Sequence, residues 1–256
     1  MSFDLSLLVA MAVAAFGAGL IDAVVGGGGL IQIPALFTLL PQEAPATLFG
    51  TNKFSSIFGT ANAAWHYARR IRMPWHIILP ATFAAFVGGY SGALAVAWLP
   101  REMLRPLILV LLIGAAVYTF WRKDFGAIHR PQHPGRREFF LAVLIGGMLG
   151  FYDGLFGPGT GSFLIFLFIR FFGFDFLHAS AAAKFVNLTT NLAALCFFAP
   201  HGYLLPVLAA AMAVFNVLGS VVGAQLALRH GSRFVRKIFL LVVSALIVKF
   251  AWDTFA

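Results

Sequence analysis

The chain repeats itself at a constant spacing of 131 residues. A glycine-rich stretch occurs at 19–29 and again at 150–161, and in each copy an apolar run and then a lysine follow it. The register also aligns other residue types: Asp22 with Asp153, Lys53 with Lys184, Arg105 with Arg236 and Trp121 with Trp252. Such varied matches in one register indicate an internal duplication. We predict membrane repeats at 1–121 and 139–256, joined by a cytoplasmic connector at 122–138.

Long apolar runs fill most of both halves. Hydrophobic residues make up 61% of the 256 residues and charged residues only 11%, with a mean hydropathy of +0.90, whereas soluble domains carry about a quarter charged residues. The net charge of +9 lies in short loops between apolar runs, where Lys and Arg set topology. The composition therefore predicts an all-α polytopic membrane protein surrounded by lipid, with no nucleic-acid partner.

Glycines divide each half. Gly26 to Gly29 and Gly157 to Gly161 lower helix stability, and the apolar runs that follow, at 30–40 and up to 172, are too short to cross a hydrocarbon core of about 30 Å. A glycine-broken helix or hairpin in each half gives 8–10 membrane segments. Helices of spanning length are predicted at 5–25, 48–67, 75–98, 104–121, 139–156, 179–199, 204–228 and 234–252. We expect the first to be a membrane segment and not a cleaved signal, because no basic residue precedes it.

Loop charge predicts the topology. Basic residues place the loops near 70 and 232 and the connector in the cytoplasm, and the loop at His201, which has no Lys or Arg, outside. These positions agree if each broken segment enters and returns, so that the two repeats are inverted. Arg101 and Arg105 would then lie outside, which weakens this arrangement. In the alternative each broken segment crosses once, the repeats are parallel and the protein has eight helices. We favour the inverted repeats.

Lys53 and Lys184 are charged residues in apolar surroundings. An unpaired charge at the bilayer centre costs about 3 kcal/mol on insertion scales, so each lysine must face a cavity or a partner. One interpretation is an anion site, where both lysines converge with the N–H groups of the half-helices after the glycines. Alternatively, each lysine pairs with an aspartate, or lies near a helix end where its ammonium group reaches the headgroups.

Asp22 and Asp153 share this duplicated placement. They are candidates for proton coupling, since a buried carboxyl group can exchange a proton. The alternative is that they are counter-charges to the lysines or caps for the half-helices. Polar or glycine residues nearby complete the predicted substrate site: Thr51, Asn52, Asn187, Asn191, Gly27, Gly28, Gly29, Gly159, Thr160 and Gly161.

Other kinds of site find no support in the pattern. Neither glycine stretch has the Lys-Ser/Thr ending of a nucleotide-binding loop. One cysteine, Cys196, allows no disulfide, and His129 and His133, which have helical ligand spacing, are separated by Pro131. We therefore predict no metal, no cofactor and no enzymatic activity.

At these residues the sequence resembles the sulfite exporter TauE/SafE family of membrane permeases. The resemblance rests on Asp22 to Pro34, on Phe-Gly-Thr-Asn-Lys at 49–53 with Ala61-Asn62 after it, and on the second copies at 150–161 and 184–191. It implies a multi-pass permease of the bacterial inner membrane that moves sulfur-containing anions such as sulfite, sulfonates or sulfoacetate, usually as an exporter. Pro158 and Thr160 interrupt the second glycine run, which departs from the family pattern.

The predicted function is a secondary transporter of small anions, which works by alternating access between its two halves. One alternative is an anion channel, which would use the same positive lining without coupling carboxylates. Another is a membrane assembly or sensory protein, in which the glycines only pack helices. Assembly into a homo-oligomer is compatible with all three, since the whole lipid-facing surface is apolar.

Overall fold

The computed structural model describes residues 4–96, 126 and 135–255. Within these ranges the chain is helical and has no strand, which confirms the all-α prediction. The helices are α1 (Leu5–Val25), α2 (Gly29–Leu39), α3 (Pro45–Ala68), α4 (Trp75–Ala95), α5 (Arg136–Leu155), α6 (Thr160–Phe172), α7 (Phe176–Phe198) and α8 (Pro206–Phe255). The predicted helix at 104–121, most of the connector, and Arg101 and Arg105 lie outside the described residues.

The helix boundaries repeat at the spacing of the sequence. The first residues of α5 to α8 each lie 131 positions after those of α1 to α4, in order. Several helix bounds differ by a few residues from the predicted ones, including those at the connector and at the second glycine break. The connector was expected to extend to Glu138, but α5 begins at Arg136 and places Glu138 in its first turn, where an acid is favoured by the helix dipole. The second glycine break ends at Gly159, and Gly161 is already helical.

Five helices in the described part of the chain are long and apolar enough to cross a membrane: Leu5–Val25, Trp75–Ala95, Arg136–Leu155, Phe176–Phe198 and Pro206–Ala245. The last is long enough for two crossings, and only Gly231, with φ 70° and ψ −167°, departs from helical geometry within it. The 24 residues of α3 also have spanning length. This helix is less apolar because polar side chains lie along it, and several of them, including Thr51, Asn52 and Lys53, are buried in protein.

Glycines bring two pairs of helices into backbone contact. A Cβ atom at Gly219 of α8 would overlap the carbonyl oxygen of Phe16 in α1, and one at Gly223 would overlap that of Leu20. The same contacts join α4 to α5, where Gly88 meets Gly147 and Gly92 meets Phe151, each 131 residues from its counterpart. Residue numbers rise together along both pairs, so the helices of each pair run in the same direction. Glycines at such positions allow membrane helices to pack closely.

Gly219→Ala is expected to destabilise the protein by about 1–3 kcal/mol, since the added methyl group must push α1 and α8 apart. The matched control is Gly17→Ala on α1, where a Cβ atom meets nothing within 4 Å. Alanine has the higher helix propensity, so the control should be neutral or stabilising. Thermal unfolding in detergent measures both. Equal losses of stability would contradict the packing argument.

Candidate substrate site

The two glycine breaks touch each other. Gly26 (φ 74°) ends α1, and Gly159 (φ 85°) precedes α6, so both turns use a backbone conformation that glycine readily adopts. A Cβ atom at Gly26 would lie 2.5 Å from the Cα of Gly161. The two interrupted helices therefore meet backbone to backbone, without an intervening side chain.

Two ion pairs cross between the duplicated halves beside this contact. Lys53 Nζ lies 2.5 Å from Asp153 Oδ2, and Lys184 Nζ lies 3.1 Å from Asp22 Oδ2. Both lysines are buried, with residue exposures of 3% and 0%. They do not reach the headgroups, so the alternative in which each lysine pairs with an aspartate matches the structure. Because the pairs are related by the 131-residue register, each half supplies one lysine and one aspartate.

The two pairs differ in their hydrogen bonds. Lys53 donates a hydrogen bond to Asp153, whereas the approach of Lys184 to Asp22 lacks hydrogen-bond geometry and leaves that buried ammonium group without one. Asp22 accepts further hydrogen bonds, at 3.3 Å from the Thr60 hydroxyl group and at 3.5 Å from the Asn187 amide group. In this pair, therefore, the carboxylate of Asp22 has other hydrogen-bond donors, whereas the ammonium group of Lys184 has no other partner among the described residues.

The lysines lie toward opposite ends of the bundle. Each is eight residues into its helix, α3 or α7, or about 12 Å along the axis. These helices run in opposite directions, because Gly50 near the start of α3 lies against Phe198 at the end of α7. At the other end, Tyr67 of α3 and Ser180 of α7 both donate hydrogen bonds to carbonyl groups in the last turn of α1. The ion pairs therefore occupy different depths.

A small chamber of about 20 Å³ lies between the breaks and the ion pairs. This volume holds about one water molecule. The buried Asn52 Oδ1 has no hydrogen-bond partner and belongs to the lining. The chamber is lined by Asp22, Gly26, Gly29, Asn52, Lys53, Ser56, Thr60, Asp153, Gly157, Gly161, Asn187 and Asn191.

Most of the predicted site residues meet at this chamber, and some do not. Lys184 contacts it only through Asp22. The Thr51 hydroxyl group donates to Thr47 O and accepts from the amide of Leu205, so it helps to hold the start of α8. The Thr160 hydroxyl group donates to Gly157 O within the second break. Gly27, Gly28 and Gly159 also lie outside the lining.

Four lining residues were absent from the predicted site: Gly26, Ser56, Thr60 and Gly157. The sequence contained a signal for two of them. Ser56 and Thr60 follow Asn52 at helical spacings of four and eight, which places all three on one face of α3. They also lie 131 residues before Asn187 and Asn191, so the duplication itself pointed to them.

A buried polar network adjoins the chamber on one side. Gln32 of α2 donates to the Ser55 hydroxyl group at 2.8 Å, and its Oε1 accepts from Ser56 at 3.4 Å and from Asn216 at 3.3 Å. The residues 131 positions from Gln32, Ser55 and Asn216 are Phe163, Val186 and Ala85. These counterparts are apolar, so the duplication supplies no second copy of this polar network, which Asn216 of the second half completes.

Comparison with known proteins identifies the family of the chain. The profile of the family described as Sulfite exporter TauE/SafE matches residues 11–250. The chain belongs to the TauE/SafE family. Its duplicated glycine breaks and Lys–Asp pairs are thus features of a TauE/SafE protein.

Several relatives are similar over almost their full length. A probable membrane transporter protein, ORF9, of a Sinorhizobium species is 35% identical and covers 96% of this chain and 93% of its own. The probable membrane transporter protein YfcA of Escherichia coli K12 is 32% identical, and the match covers 93% of this chain and 87% of YfcA. A probable membrane transporter protein of Haemophilus influenzae is 31% identical, and the match covers 99% of this chain and 98% of that protein. No solved structure matches the chain. This chain is accordingly a multi-pass membrane transporter of the family and not an enzyme.

Proposed function

We propose that the protein is a secondary transporter that moves small anions through the contact between its two repeats. Two buried ion pairs, Lys53–Asp153 and Lys184–Asp22, carry this proposal. Each joins a lysine of one repeat to an aspartate of the other, and they lie on either side of the joined glycine breaks. Each ammonium group is a potential ligand for an anion. Buried charges at membrane depth mark substrate and ion pathways in transporters.

We further propose that the repeats are inverted in the membrane. The directions of the helices support this arrangement: α1 runs with α8, α4 runs with α5, and α3 runs against α7. Tyr67 also ties the end of α3 to the end of α1. Corresponding helices of the two halves then point in opposite directions. Such inverted repeats are common in transporters that work by alternating access.

The small volume of the chamber supports alternating access. A space of about 20 Å³ cannot hold a solute much larger than water, so the repeats must separate before an anion enters. The two ion pairs lie at different depths, and opening toward one side at a time would separate one pair while the other stays closed. Each Lys–Asp pair thus serves as a gate for its own side of the membrane.

Charge balance favours coupling to protons. The charges of Lys53, Lys184, Asp22 and Asp153 cancel in their ionised forms, and an entering anion would leave an unbalanced charge in a poorly polarisable interior. Protonation of Asp153 removes that imbalance and releases the ammonium group of Lys53 to the anion. Transport of one monoanion with one proton is electroneutral, and a high cytoplasmic anion concentration would then drive export.

The family description supports sulfur-containing anions as substrates, with sulfite, sulfonates and sulfoacetate as candidates, and export across the bacterial inner membrane. Lysine ammonium groups and the amide groups of Asn52, Asn187 and Asn191 offer donors that suit sulfur oxyanions. We therefore infer that the wild-type protein carries sulfite or a small sulfonate in preference to chloride.

Flux assays in proteoliposomes test this function. Sulfite, sulfate, methanesulfonate and chloride are compared, each with and without an imposed pH gradient. Saturable flux of sulfite or sulfonate that a pH gradient drives uphill is the expected result. Flux that never saturates and follows the membrane potential alone would make the protein a channel. No flux of any anion would leave a role in assembly or sensing.

A further inference from the structure

A basic groove lies apart from the substrate site, where the last turn of α3 faces α8. It has a volume of about 580 Å³ and is lined by Trp65, His66, Arg69, Arg70 and Arg229, among others. It shares no lining residue with the chamber between the glycine breaks. The groove is therefore a separate concave surface of the bundle.

Three guanidinium groups converge on this groove without an acidic partner. Arg69, Arg70 and Arg229 are exposed, and none of them forms a salt bridge with a carboxylate in the described ranges. Arg69 lies over the ring of Trp65, with Cζ 4.6 Å from its centroid. The negative end of a helix dipole accounts for a cation at the end of α3, but it does not account for like charges gathered around one cavity. A bound anion would relieve their repulsion.

The basic residues of the groove on α3 are not repeated in the second half of the chain. The residues 131 positions after Trp65, His66, Arg69 and Arg70 are Cys196, Phe197, Pro200 and His201. At these four positions the second repeat thus carries no arginine. Because the segment of the groove at 65–70 is not duplicated, the groove is separable from the paired transport machinery.

We propose that this groove binds the phosphate of an anionic phospholipid headgroup from the cytoplasmic leaflet. Loop charge predicts that this end of α3 faces the cytoplasm, where anionic lipids concentrate and basic pockets between helices bind headgroups. Arginine matches phosphate through paired N–H donors. The exposed Trp65 beside Arg69 is the residue type that lies at the headgroup level. A lipid can satisfy both, with its phosphate on the arginines and its glycerol region against the indole.

The test titrates the detergent-purified full chain with phosphatidylglycerol or with phosphatidylcholine of the same acyl chains, and native mass spectrometry measures the bound lipid. Arg69→Gln/Arg229→Gln should weaken phosphatidylglycerol binding about 30-fold, which corresponds to roughly 1 kcal/mol for each arginine. The matched control is Arg136→Gln/Arg137→Gln, which removes two exposed arginines outside the groove. It should change the affinity less than about threefold, and phosphatidylcholine should bind weakly throughout.

Two further arms keep the proposal falsifiable. Arg69→Lys/Arg229→Lys retains the charge but not the paired N–H donors, so it should recover only part of the affinity. Thermal unfolding without lipid confirms that the glutamine variant is folded. Equal losses in the groove and control variants would reduce the effect to general charge and overturn the proposal. Inorganic phosphate is the competing ligand. If it displaces the lipid at millimolar concentration and raises the thermal unfolding temperature of the wild type as much as the lipid does, the groove binds a soluble anion instead.

Discussion

Asp153→Asn is expected to change the driving force of transport without abolishing it. The asparagine side chain imitates a protonated aspartate, so Lys53 stays available to the anion while the site can no longer exchange a proton. Each turnover then moves one uncompensated negative charge. Flux through the variant should follow the membrane potential and ignore the pH gradient, and the wild type should do the reverse.

Lys53→Gln is expected to remove the anion flux itself. Lys53 is a lining residue of the chamber and its ammonium group is the direct partner of Asp153. The loss of one member of a buried charge pair typically costs 2–5 kcal/mol in binding, which is about 30-fold or more in affinity. The pair of variants thus separates the anion ligand from the coupling group, a distinction that neither variant makes alone.

The measurement is sulfite or sulfonate flux in proteoliposomes, with the pH gradient and the membrane potential imposed independently. Arg136→Gln is the control, because it removes an exposed positive charge far from the chamber in sequence and outside its lining. Coupling to protons that survives in Asp153→Asn would remove Asp153 from the proposed proton path. Normal flux in a folded Lys53→Gln variant would refute the anion site.

The duplication made much of the fold predictable. Glycines and a lysine in one register specified where the helices begin, because a helix start depends on nearby residues that the duplication copied together. The starts of α5 to α8 accordingly follow those of α1 to α4 at the same spacing. The structure adds a contact that the register alone did not specify: Gly26 meets Gly161, so the breaks of the two halves join at one place.

The partners of the charged residues could not be predicted in the same way. The sequence allowed either lysine to pair with either aspartate, and the choice depends on how the halves pack. Helices α3 and α7 run in opposite directions, which brings each lysine beside the aspartate of the other half. The position of Thr51 was equally hidden, because its hydroxyl group accepts from an amide 154 residues away in the chain. Long-range contacts of this kind leave no local pattern.

The second ion pair is expected to show unequal costs when either partner is removed. Asp22→Asn leaves Lys184 fully buried and without a carboxylate partner. Lys184→Met leaves Asp22 with Thr60 and Asn187 as donors and a side chain that is 12% exposed. Breaking a buried pair costs about 3–5 kcal/mol. We expect Asp22→Asn to lie at the upper end of this range and Lys184→Met at or below the lower end.

The double variant Asp22→Asn/Lys184→Met completes the thermodynamic cycle. It removes both charges together, so its loss of stability should be smaller than the sum of the two single losses, by an interaction energy of about 1–3 kcal/mol. Unfolding of the purified protein in a denaturing detergent titration measures all four proteins. Additive losses would mean that Lys184 and Asp22 do not stabilise each other. A larger cost for Lys184→Met than for Asp22→Asn would show that the donors around Asp22 contribute less than their geometry indicates, and the gate on that side would then depend on the lysine.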